Sequence, residues 1–150
     1  MQRDLHNNIA TPECIPSQTV GTTGTGRTSS IVDRFGYEGV EFVINYGSIS
    51  ATNAVFTPNL QEASATGGPF TSVADIDMLP QANAETGAGI GATASRVSGV
   101  SKNVSKKLGY IGTKRYLKLK VSSTVTAGAN IAADAILHSP THAPAGKTEI

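Results

Sequence analysis

The chain has no tryptophan, a single cysteine and few aromatic or charged residues: 5% of its 150 residues are aromatic and 15% are charged. A lone Cys14 cannot form an internal disulfide, so the fold owes nothing to an oxidising compartment and is expected to form in a cytoplasm. No stretch reaches the roughly 20 apolar residues of a membrane-spanning helix. The opening segment, Met1 to Ile9, lacks the apolar run of a signal peptide, so the sequence predicts a soluble protein that is not exported by a leader. A net charge of +1 gives no overall attraction to nucleic acid. Acids are also missing locally: none occurs between Glu85 and Asp134, where Arg96, Lys102, Lys106, Lys107, Lys114, Arg115, Lys118 and Lys120 all lie. The chain is nearly neutral in sum but polarised along its length.

What is present is glycine, alanine, serine, threonine and asparagine in abundance, a profile common in β proteins whose surfaces are covered by other subunits. The length fits one domain with one core. Within Tyr116 to Val121, Leu117, Leu119 and Val121 alternate with Tyr116, Lys118 and Lys120. Successive strand side chains point to opposite faces, so this pattern puts three aliphatics on a core and a cationic ladder outside. Val40, Phe42, Ile44 and Tyr46 alternate in the same way with Glu41, Val43 and Asn45. Phe42, Ile44, Leu117, Leu119 and Val121 are therefore expected to share a core.

Further strands are expected near residues 30–35, over 54–60 as the second arm of a hairpin reaching from 40 to about 62, over 70–78, at 92–97, on either side of Gly112-Thr-Lys-Arg115, and over 129–138. Pro58 cannot donate to a ladder and marks an edge or a bulge. Residues 1–27 carry Pro12, Pro16 and a glycine-threonine run, and 139–150 carry two prolines. Both read as extended arms around a domain at 28–138, mobile in the free protein and ordered against neighbouring subunits. The pairs Gly36-Tyr37-x-Gly39 and Gly109-Tyr110-x-Gly112 form a short internal echo, each introducing an alternating strand.

Motifs for chemistry are weak. Gly87-Ala-Gly-Ile-Gly-Ala92 has the wrong spacing for a dinucleotide loop, and Gly21-Thr-Thr-Gly-Thr-Gly26 lacks the Gly-Lys-Ser/Thr ending of a phosphate loop, so no cofactor is expected. His138 and His142 are spaced as a metal pair, but Pro140 breaks the helix such a pair needs, and no metal is expected. Asp75 and Asp77 would share a face of a strand over 70–78. Cys14 lies between two prolines, a poor scaffold for a nucleophile, and the chain is not expected to be an enzyme. For the ladder, three roles compete: tracking phosphates, which usually needs interleaved aromatics; protecting an edge strand; and docking on an acidic protein surface. Lys114, Arg115, Lys118 and Lys120 are the expected partner-binding residues, with no direct nucleic-acid or membrane contact.

Three segments, Val32 to Ile44, Leu108 to Val121 and Ala132 to Pro140, together resemble a family of small tailed-bacteriophage virion proteins encoded among head genes, some similar to capsid cement, or decoration, proteins. The resemblance implies a jelly-roll-like antiparallel β sandwich. It implies a structural role on the capsid exterior, made in the host bacterial cytoplasm, with the major capsid protein and further copies of itself, as a homodimer or homotrimer, for partners. It brings no catalytic residues. Head-tail joining proteins and tail or fibre β domains that bind host surfaces have similar composition and form the alternative.

Overall fold

Period-two alternation organises the computed structural model, which describes residues 5–20, 27–49, 55–79, 96–97, 103–123 and 129–141. These form strands β1 (Ile9–Ala10), β2 (Glu13–Val20), β3 (Arg27–Thr28), β4 (Val32–Asp33), β5 (Tyr37–Ile49), β6 (Val55–Ala63), β7 (Thr71–Ser72), β8 (Met78–Leu79), β9 (Arg96–Val97), β10 (Val104–Tyr110), β11 (Tyr116–Ser123) and β12 (Ala129–Pro140). Single 3-10 turns stand at His6–Asn8 and Asp75–Asp77.

Two antiparallel sheets result. Sheet A runs β1-β12-β5-β10-β8, with β2 also on β12; sheet B runs β3-β11-β6-β7, with β4 also on β11 and β9 on β6. From β5 onward the long strands alternate between the sheets along the chain, and the first long strand, β2, lies beside the last, β12. Taken as layers, β2-β12-β5-β10 faces β3/β4-β11-β6-β7/β9, the strand order of a jelly roll, as expected.

The core lies where the inner faces meet. Val40, Phe42 and Ile44 of β5, Leu117, Leu119 and Val121 of β11, and Ile131, Ala133 and Ala135 of β12 are fully buried. Large residues oppose small ones across the ladder, Phe42 against Ala135 and Ile44 against Ala133, which lets the opposite sheet approach. The Tyr46 and Phe56 rings span the two sheets with centroids 6.3 Å apart. The five residues expected to share a core do so.

Several expectations change. β5 and β6 are not a hairpin: β5 pairs with β10 and β12, whereas β6 pairs with β11 across the sandwich. The two strands expected on either side of Gly112 to Arg115 are present as β10 and β11, and they too lie in different sheets. Alternation says which face is buried but not which strand is the neighbour, and two strands that each bury one face can equally well be stacked. Pro58 is not on an edge strand, since β11 runs along all of β6, but on the other side β9 ends at Phe56 and β7 begins opposite Gln61. Pro58 occupies that gap. The segment 70–78 is not one strand: it holds Thr71–Ser72, then the 3-10 turn, and β8 begins at Met78, so Asp75 and Asp77 do not share a strand face.

The expected arm over 1–27 is corrected in its middle: β2 pairs with β12, and Cys14 and Ile15 are buried. Two adjacent buried residues break alternation, and the reason is a bulge, because Ile15 opposes Ala133 and Glu13 opposes Asp134, leaving Cys14 as the extra residue. At the other end the expected arm begins as strand, with Pro140 opposite Tyr37 and the Thr141 N–H bonded to the Gly36 carbonyl at 2.9 Å. Residues 142–150, both glycine-rich motifs and most of 92–97 lie outside the described residues.

Burial, reinforced by Asp134, pushes the Cys14 thiol up to about 12. The unfolded chain releases this proton near its ordinary value of 9.0 while the folded chain keeps it. The contribution to stability is therefore complete below about pH 9 and is lost as pH rises towards 12. A disulfide reagent at ~pH 8 is expected to label Cys14 only as fast as the protein unfolds, and the unfolding midpoint is expected to fall between pH 9 and 12. Immediate stoichiometric labelling of the native protein would contradict the buried bulge.

Candidate docking site

The outward face of β11 carries Tyr116, Lys118 and Lys120, each half-buried. Across the ladder Lys118 neighbours Gln61, and Lys120 lies between Asn59 and Thr28. The Lys118 ammonium sits 4.1 Å from the centre of the Phe70 ring. Glu62, the acid of β6, has the opposite parity and turns inward to accept the Tyr110 hydroxyl at 2.5 Å. The two lysines thus stand on a neutral surface of amides and hydroxyls.

Lys114 and Arg115 lie apart from that row, in the crossing from β10 to β11 at one end of the sandwich. The Lys114 ammonium donates to Ser64 Oγ at 3.2 Å. Arg115 forms a two-point bond with Asp33, Nε to Oδ1 at 2.8 Å and Nη2 to Oδ2 at 2.7 Å. Its guanidinium also lies over Phe35 and Tyr116, 4.5 and 4.9 Å from the ring centres. The hydrogen bond from Arg115 holds the Asp33 carboxyl below its usual range. Of the four expected residues, Lys118 and Lys120 form one face, while Lys114 and Arg115 flank it and are engaged within the chain.

Sequence reasoning missed the residue that builds this end. Arg34 donates from Nε to the Lys114 carbonyl at 2.5 Å, from Nη1 to those of Tyr37 and Glu38 at 3.2 and 2.8 Å, and from Nη2 to that of Gly112 at 2.9 Å. One guanidinium thus joins the start of β5 to the crossing after β10. It also stands 5.5 Å from the centre of the Tyr110 ring. Tyr110 is buried, and its oxygen accepts the Lys114 N–H at 2.9 Å. Burial, then Glu62, drives its hydroxyl pKa upward. A side chain at Gly112 would strike that hydroxyl, its Cβ falling 2.5 Å away. The signal was present as the echo: Gly36-Tyr37-x-Gly39 and Gly109-Tyr110-x-Gly112 enter the same end of the sandwich, with Gly36 at φ +86°. Between them opens a cleft of about 400 Å³ lined by Arg34, Phe35, Tyr37, Glu38, Thr113 and Arg115, among others. Phe35 is 73% exposed on its rim. The main-chain N–H of Phe35 bonds Asp33 Oδ1 at 3.0 Å, so the exposed ring is held in place from its backbone and across its face. Fixed cations beside one exposed ring are the chemistry of protein docking.

Asp75 and Asp77 lie in the 3-10 turn. The His138 ring packs over Gly39, where a methyl group would collide with it, and His142 is outside the described residues. Among the described residues no three of His, Cys, Asp and Glu are grouped to hold a metal ion, and no helix is long and apolar enough to cross a membrane.

No family model matches the sequence, and no curated protein matches it. Solved structures do. The SPBc2 prophage-derived protein YomS aligns with a TM-score of 0.51 at 10% identity, over 88% of this chain and 94% of its own. A chain of infectious bursal disease virus, Gx strain, aligns at 0.44 and 8% identity, over 91% of this chain and 34% of its own. A Clostridium thermocellum endo-1,4-β-D-xylanase 10B carrying CBM22-1 and GH10 modules aligns at 0.46 and 7%, over 94% and 28%. This chain spans about a third of each of the last two. The likeness to YomS covers nearly the whole of both chains, and it is a likeness of fold.

Proposed function

We propose that this chain is a structural subunit of a tailed-phage virion, a cement protein that docks on the outside of the capsid and ties neighbouring major capsid protein subunits together. The observation that carries the reading is the row of Lys118 and Lys120 on the outward face of β11, standing among amides and hydroxyls with Glu62 turned inward. Such a face is fixed by the rigid sandwich behind it and suits an acidic protein surface, that of the capsid protein or of a sister copy seated on it. The segment-by-segment resemblance to phage head proteins and the whole-chain fold likeness to a prophage-derived protein support the same reading.

Exposed ion pairs contribute about 0.2 to 1 kcal/mol each, so attachment must come from many weak contacts repeated over a closed lattice. Reversing Lys118 and Lys120 together to Glu is expected to leave melting unchanged, because both point away from Leu117, Leu119 and Val121, and to lower occupancy on purified particles. Wild-type occupancy should fall as salt shortens the Debye length from about 10 Å at 0.1 M to about 3 Å at 1 M. Occupancy of the double variant equal to wild type in low and high salt alike would reduce the row to a solvated face of a strand that is paired on both sides. Copy number tests the location: hundreds per particle fit a capsid shell, a handful fit a tail or connector.

A further inference from the structure

The outward face of sheet A is the electrostatic complement of the lysine row. Ladder register places Lys107, Val43, Asp134 and Glu13 in one line across β10, β5, β12 and β2. The next outward line sets Gly109, Glu41 and Ile136 side by side. Among the described residues this face thus presents the carboxylates of Glu13, Asp134 and Glu41 against one ammonium, that of Lys107, with the His138 ring at its upper end. Glu13 and Asp134, both exposed, oppose each other directly on neighbouring strands. Like charges so placed destabilise a sheet, and a cation brought from outside relieves them. Val43 and Ile136 are half-buried between the acids, giving the face an apolar centre.

Spacing matches as well as sign. Lys118 and Lys120 are two residues apart on one strand, about 7 Å. Asp134 is paired with Val43, so Glu41 is its diagonal neighbour at about 7 to 8 Å. Two ammonium groups on one sheet therefore meet two carboxylates at the same separation on the other sheet of a second molecule. Contact of sheet B with sheet B, or of sheet A with sheet A, would instead bring like charges together.

We propose that the occupant of the lysine face is a second copy of this chain, sheet B of one molecule stacking on the acidic outer face of sheet A of the next. The inference rests on the docking role given above to Lys118 and Lys120 and names their partner. Such a contact uses different surfaces on the two molecules, so it propagates into a ring if the rotation closes and into a chain if it does not. On a capsid, a closed ring would encircle a symmetry axis and leave the end cleft with Phe35 free for the lattice beneath.

The test exchanges charges. Lys118→Glu with Lys120→Glu makes one variant, Glu13→Lys with Asp134→Lys the other; all four side chains point outward, and both variants should melt as wild type does. In sedimentation equilibrium at low salt, about 0.01 M where the Debye length is about 30 Å, wild type is expected to self-associate. Each variant alone should associate at least about tenfold more weakly, and an equimolar mixture should recover assembly, because each face then meets its opposite. A mixture that stays monomeric, or either variant alone assembling as wild type does, overturns the stacking. Occupancy on purified particles is a separate reading: wild type bound to particles while the mixture stays monomeric removes the stacking and keeps the capsid role, and a mixture that assembles while no copies are found on particles keeps the stacking and removes that role.

Discussion

Leu119→Asp is expected to abolish soluble protein. The side chain is fully buried in the middle of β11 and opposite Leu60, and its main chain is tied on the other side to Ser29, whose N–H donates to the Leu119 carbonyl at 2.7 Å and whose Oγ accepts the Leu119 N–H at 2.9 Å. The strand cannot rotate to release a carboxylate without giving up those bonds. A buried, unpaired carboxylate costs several kcal/mol, against a total stability of about 5 to 15 kcal/mol. Expression should yield insoluble material, or a soluble fraction with no cooperative melt, while Lys120→Asp one position along gives normal yield. Soluble Leu119→Asp with a wild-type melting curve would mean that β11 faces the other way.

Arg34→Ala should have the next largest effect, since it removes donors from four carbonyls in two separate stretches of chain. Hydrogen bonds to a charged group contribute about 1.5 to 3 kcal/mol each when well buried. Arg34 is half-buried and water replaces part of the loss, so about 2 to 4 kcal/mol overall is expected. That corresponds to a fall of about 5 to 15 °C in Tm for a domain of this size. Arg34→Lys should recover little, because an ammonium cannot span the carbonyls of Tyr37, Glu38, Gly112 and Lys114 at once. Urea unfolding checks this, and a Tm within about 2 °C of wild type for Arg34→Ala would show that the two turns hold their shapes unaided.

The contrast between these residues explains what the sequence could disclose. Leu119 was legible because burial repeats every second residue, and the same rule found β12 to within two residues of its end and the middle of β5, which runs three residues further at each end than Val40 to Tyr46. Lys118 and Lys120 were legible as the complement of that pattern. Cys14 and Ile15 were not, because a bulge sets two buried residues side by side and erases the period. The partners of β5 and β6 were hidden because strand pairing at long range depends on how both sheets close, not on either strand alone. Arg34 was hidden for a further reason: its partners are main-chain carbonyls, which every residue carries, so nothing in the letters at 37, 38, 112 or 114 announces them. Only the glycines and tyrosines that shape those turns left a trace, the repeated Gly-Tyr-x-Gly.

The pairing of β2 with β12 sets the order in which this protein can form. Ile9 bonds opposite His138, and Val20 opposite Ala129, so sheet A cannot be completed until the ribosome has delivered nearly all of the residues described. Until then β5 waits with Glu41 to Tyr46 lacking the strand that will cover one of its edges, and β11 and β6 wait for the sheet that closes over their leucines. Folding dominated by such distant pairings takes milliseconds to seconds, not microseconds. A nascent chain with open edges is most exposed to its own siblings on the same message.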